Sequence, residues 1–195
     1  MSSKADTPEP AKTRLMGTRR LLRRFVKTER GATAVEFAIV GGPFLYLMFA
    51  ILELGLVFWS SQVLETAVAN ASREIYTGQF QTSAANANKT DAQLAAQFKT
   101  NMCNYVKALF DCNAEVSVDI RTAASFSSAN SQQATNNGNY DTSNYGYQRV
   151  GTRQIGVVTA AMQYKLITRV LPSSSGMPSG YRLIMATSTF KTEPY

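Results

Sequence analysis

A chain of 195 residues has room for one ordinary domain, and its apolar share of 45% is ordinary too, so any membrane character has to lie in the order of the residues. The net charge of +7 is unevenly spread: residues 1–30 carry nine Lys or Arg against Asp6, Glu9 and Glu29, which is +6, and everything after them sums to +1. With no histidine, Ser-His and Cys-His nucleophile pairs and H-E-x-x-H zinc motifs are excluded, and no phosphate-binding glycine loop stands in the sequence; no catalysis, cofactor or metal is expected.

The basic cluster Arg14, Arg19, Arg20, Arg23, Arg24, Lys27 and Arg30 has the composition of a nucleic-acid patch, but it stands beside an apolar run. Short basic flanks of membrane helices stay in the cytoplasm, so topology explains the cluster and no nucleic-acid partner is expected. From Ala32 to Trp59 the only charges are Glu36 and Glu53, and Phe37 to Leu52 carries none. Such a segment extends about 42 Å as a helix, enough to cross a hydrocarbon layer of about 30 Å. Ala67-Val68-Ala69 has the small-x-small form of a signal-peptidase site, yet it lies well past the apolar run. Val63, Leu64, Ala67, Val68, Ala71 and Ile75 continue a helical stripe through it, so the helix is expected to reach about Tyr76 and stop at Gly78. Pro43 removes a backbone donor and crowds the carbonyl of Ile39, which predicts a bend eased by Gly41 and Gly42. Glu53 falls about 25 Å beyond Glu36, near the opposite membrane face, and Trp59 is placed as an interfacial anchor.

At the inner edge of the span stands Arg30-Gly31-Ala32-Thr33-Ala34-Val35-Glu36-Phe37, a glycine followed five positions later by a glutamate and then an aromatic residue. The string RGATAVEFAIV, followed by Pro43 and a long apolar run, resembles the TadE-like minor pilins, or pseudopilins, of the Flp or tight-adherence (Tad) pilus system. The resemblance implies that a prepilin peptidase cuts between Gly31 and Ala32 and leaves Glu36 as the fifth residue of the mature chain. It divides the chain into a cleaved basic leader (1–31), a transmembrane helix (32–59), a periplasmic extension of that helix (60–78) and a periplasmic domain (79–195). A carboxylate in lipid calls for a partner, and the freed amine of Ala32 or of a neighbouring subunit suits Glu36. The implied setting is the bacterial inner membrane, single pass, with a cytoplasmic amino terminus. Implied partners are the peptidase, other pilins and pseudopilins, an inner-membrane assembly platform and membrane lipid.

Beyond the linker after Gly78, Asp91 to Phe110 reads as an amphipathic helix on Leu94, Phe98, Met102 or Cys103, Val106 and Phe110. Residues 115–121 alternate polar with apolar as a one-sided strand does, and further strands are expected over 157–171 and 182–190. The fold class expected is α+β and pilin-like: a long amino-terminal helix, then a small domain of helix and antiparallel sheet. Cys103 and Cys112 are the two cysteines; placed in an oxidising compartment they predict a disulfide, with stabilisation of about 2–3 kcal/mol in the chain-entropy model. Residues 122–149, rich in Ser, Asn, Gln and Tyr, read as a flexible surface loop. The ending Lys191-Thr192-Glu193-Pro194-Tyr195 is similar to many TadE-like termini, which usually carry Arg-Asn before Glu-Pro. Two rival readings have their own tests: an unprocessed single-pass anchor that binds an envelope partner, and an adhesin acting through the Tyr and Asn-rich loop.

Overall fold

The computed structural model describes residues 29–106, 110–168, 177–178 and 180–195. The basic cluster from Arg14 to Lys27, and the expected leader before residue 29, lie outside the described residues. The chain divides into two compact units, Met1–Leu47 and Met48–Tyr195.

In its described part the first unit is helix alone, the start of α1 (Glu29–Tyr76), which runs unbroken through Pro43. Its apolar side chains are turned outward: Phe37, Ile39, Val40 and Phe44 are all exposed. Among the described residues α1 is long and apolar enough to cross a membrane, with a mean hydropathy of 2.0 over its most apolar window and none of that window buried.

Within the second unit α1 changes character. Glu53, Val57, Ser60, Leu64, Ala67, Ala71 and Ile75 are buried at intervals of three or four, with Val68 buried beside Ala67, the stripe that a helix lays against a core. Burying Leu64, Val68 and Ile75 contributes about 1.5–3 kcal/mol each relative to exposure. The helix ends at Tyr76, and Gly78 takes a left-handed φ of 76° before α2 (Gln79–Thr82) and a 3-10 turn at Ala84–Asn86. Next comes α3 (Asp91–Cys103), opened by a capping box: the Thr90 hydroxyl accepts from the Gln93 backbone N–H while the Gln93 side chain accepts from the Thr90 N–H.

The helix expected to continue to Phe110 stops at Cys103. The Asn104 N–H is shared between the Thr100 and Asn101 carbonyls, which tightens the last turn. Val106 then reaches the same core from outside the helix, so the apolar spacing overstated its length. Residues 107–109 of that expected helix lie outside the described residues. Cys112 opens the short α4 (Cys112–Glu115), and the two cysteines lie at disulfide distance, Cα to Cα 5.5 Å.

The sheet is antiparallel, in the order β1 (Val116–Ala123), β4 (Ile155–Lys165), β5 (Tyr181–Lys191). Its registers run from Val116 opposite Met162 to Ala123 opposite Ile155, and from Ile155 opposite Lys191 to Lys165 opposite Tyr181. The central strand is buried from Ile155 to Met162 without alternation, as a strand covered on both faces must be. It leaves the sheet after Lys165, earlier than the strand expected over 157–171, of which 169–171 lie outside the described residues. A hairpin of β2 (Thr135–Asn136) and β3 (Asn139–Tyr140) turns on Asn137 and Gly138, both at positive φ, the chemistry of a two-residue turn. The fold is α+β: one long apolar helix, then a small domain of helices and antiparallel sheets.

Residues 144–148 run along the free edge of β1. The Ile120 N–H donates to the Gly146 carbonyl at 2.8 Å, and the Gln148 N–H returns a bond to the Ile120 carbonyl at 2.8 Å. Asp119, buried, accepts from the Gly146 N–H at 2.9 Å and from Arg121 Nε at 2.8 Å, and Arg121 Nη2 donates to the Asn144 carbonyl. These bonds cover an edge that would otherwise present unpaired backbone groups. The tyrosines of this segment and of β3 are held by the domain: the Tyr140 hydroxyl donates to the Ala161 carbonyl, that of Tyr145 to the Gln132 carbonyl, and Tyr147 is buried.

Burial pushes the Tyr147 hydroxyl up to about 12 and raises Tyr145 and Tyr140 as well. A phenol whose folded pKa exceeds its ordinary value of about 10 stabilises the fold fully below pH 10 and loses that contribution as pH climbs toward 12. Thermal melts from pH 9 to 12 are therefore expected to show a falling midpoint above pH 10, with a shallower fall in Tyr147→Phe. An unchanged slope in that variant would remove Tyr147 from the titrating set.

Candidate processing and assembly site

Gly31, Ala32, Glu36 and Phe37 all belong to the opening turns of α1. Gly31 is the third residue of the helix, in the turn whose N–H groups have no intrahelical partner. Glu36 is exposed, and Phe37 is 75% exposed. The Phe37 ring lies over Gly41, one turn on, where an added Cβ would meet it at 3.5 Å, ordinary contact distance. Four residues of helix, about 6 Å of rise, separate the backbone of Ala32 from that of Glu36. From Thr33 to Val40 every side chain is exposed, and Glu36 is the one carboxylate among them.

Glu53, the second acidic residue of the apolar run, has the opposite environment. It is 2% exposed, and its carboxylate accepts from the backbone N–H groups of Ile167 and Thr168 and from the Thr168 hydroxyl. Its spacing from Glu36 gives Glu53 a depth in the membrane but no partner, because the groups that hold it lie 114 and 115 residues away.

The ending Thr192-Glu193-Pro194-Tyr195 also acquires a place. The Glu193 N–H donates to the Tyr76 carbonyl at 3.0 Å, satisfying one of the last carbonyls of α1, and the Tyr195 hydroxyl donates to the Val150 carbonyl at 3.1 Å. Thr192 Oγ1 donates to the Gly151 carbonyl at 2.6 Å and accepts from the Gln154 N–H at 3.0 Å. No group of metal-ligating side chains is assembled among the described residues.

The chain has no match among curated proteins and none among solved structures. A family model does match: residues 31–73, from the glycine of the motif to the last turns of α1, fit the TadE-like protein family, the one that the RGATAVEFAIV string resembles.

Proposed function

We propose that this chain is a minor pilin, or pseudopilin, needed to assemble a tight-adherence pilus or a related secretion fibre. A prepilin peptidase cuts between Gly31 and Ala32, and the apolar helix left at the new amino terminus packs among other pilins and pseudopilins. The observation that carries this reading is the TadE-like match, which begins at Gly31 itself.

Glycine is the least restrained of residues and a poor helix former, so at the first turn of α1 it leaves the backbone open to a peptidase working at the membrane face. Cleavage removes the basic leader and frees an amine on Ala32, one turn from Glu36. A carboxylate costs about 2.5–3.5 kcal/mol at the membrane centre and less toward an interface, so the amine of the same or a neighbouring chain is its natural partner. The leader stays cytoplasmic, facing the peptidase and an inner-membrane platform, and the domain after α1 lies in the periplasm. Pro43, tolerated inside a membrane helix, gives the bundle a local bend.

Amino-terminal sequencing and intact mass of membrane-purified protein are expected to show a chain beginning at Ala32. Retention of residues 1–31 would overturn the reading in favour of an unprocessed anchor. Gly31→Ala is expected to accumulate precursor, and its normal maturation would place the cut elsewhere.

A further inference from the structure

Glu53 is the first buried residue of α1: every described side chain of the helix before it is exposed or half-buried. The turn that follows β4 supplies its hydrogen-bond donors. Ile167, whose N–H points at the carboxylate, itself faces outward and is 74% exposed. On the side of α1 that the domain leaves bare, Leu54, Phe58 and Trp59 are outward too, at 50%, 66% and 56%.

The lengths place this group. From Thr33 to Leu52 the helix has about 20 residues, about 30 Å, which is one hydrocarbon thickness. Glu53 and the Ile167 turn then fall at the outer edge of the hydrocarbon, and Trp59 lies about 9 Å farther out, among headgroups. A turn facing water needs no acceptor for its N–H groups, whereas one entering lipid must have them satisfied from within the protein. Glu53 does this for the N–H groups of Ile167 and Thr168, and they in turn satisfy its carboxylate.

We infer that the turn after β4 is a second membrane contact: Ile167, with Leu54 and Phe58, enters the outer interface of the bilayer, and Glu53 is the positioning residue that holds the turn at that depth. The inference rests on the reading of α1 as a membrane span, and it ends the hydrocarbon crossing near Leu52 instead of Trp59. Lipid is the occupant because Leu54 and Phe58 follow directly, along the same helix, on the exposed apolar residues Leu47, Phe49, Ile51 and Leu52 of the span. Among the described residues at that level, the Glu53 carboxylate is turned inward and occupied.

The test uses the full chain in phosphatidylcholine and phosphatidylglycerol vesicles. The two native cysteines are paired, so Ile167→Cys offers one thiol for an environment-sensitive nitrobenzoxadiazole probe. Its emission is expected to be blue-shifted, quenched by lipid brominated near the headgroup, and quenched by aqueous iodide several-fold less than the same probe at exposed Ser127→Cys. Trp59 is the single tryptophan, and its intrinsic emission should respond to the same shallow brominated lipid. Iodide quenching at 167 equal to that at 127 overturns the inference, as does a blue-shifted probe that brominated lipid fails to quench, which would mean a protein neighbour. A probe at Phe44→Cys separates the two levels: aqueous quenching there sinks the span itself, whereas a lipid-embedded probe at 44 with an aqueous one at 167 sinks the second contact alone.

Discussion

Phe98→Ala is expected to lower the unfolding free energy of the second unit by about 3–5 kcal/mol. Phe98 is fully buried on the inner face of α3, between Leu94 and Met102 one turn to either side, and its ring meets Phe80 edge to face at 5.7 Å. Truncation removes the transfer free energy of the ring, leaves a cavity in a close-packed core, and forfeits an aromatic pair worth about 0.5–1.5 kcal/mol beyond its area. Urea unfolding followed by circular dichroism should show a lower midpoint with an unchanged slope, and Phe98→Leu should recover part of the loss. Phe37→Ala makes the contrast: that ring is 75% exposed, so the same chemistry should leave the unfolding midpoint where it was. A loss at Phe98 below about 1 kcal/mol would mean that the site collapses around the missing ring.

The difference between those two phenylalanines was readable from spacing. Phe98 recurs with Leu94 and Met102 at helical intervals amid polar residues, whereas Phe37 sits in a run that is apolar all round, the pattern of a helix whose surroundings are lipid or other helices. Thr90 and Gln93 likewise announce their capping box in four residues. What stayed hidden was set by contacts distant in sequence. Nothing near Glu53 says that Ile167 and Thr168 will close over it, and a composition of Ser, Asn and Tyr cannot say that Gly146 and Gln148 will pair with Ile120. Asn104 shows the limit from the other side. Val106 and Phe110 kept the apolar rhythm of a helix after the backbone had turned, because periodicity reports which residues reach the core and not the path by which they reach it.

Gly78→Val should cost about 2–4 kcal/mol, for two separable reasons. A left-handed φ costs an L-residue about 1–2 kcal/mol, and valine, branched at Cβ, tolerates it poorly. Independently, a Cβ at this position would stand 2.2 Å from Cδ1 of Tyr195, so the ring must leave. Its departure takes the hydroxyl away from the Val150 carbonyl, a bond worth about 1 kcal/mol, and loosens Glu193 from the end of α1. Tyr195→Ala separates the two parts. In that background the steric conflict has gone and only the backbone penalty remains, so the double variant is expected to be more stable than the sum of the single losses predicts. Strict additivity would mean that the ring does not rest on Gly78. The expected coupling would give the Glu-Pro-aromatic ending a physical role: a glycine is required where the long helix stops because Tyr195 occupies the space of its missing side chain, while the neighbouring Glu193 caps the helix.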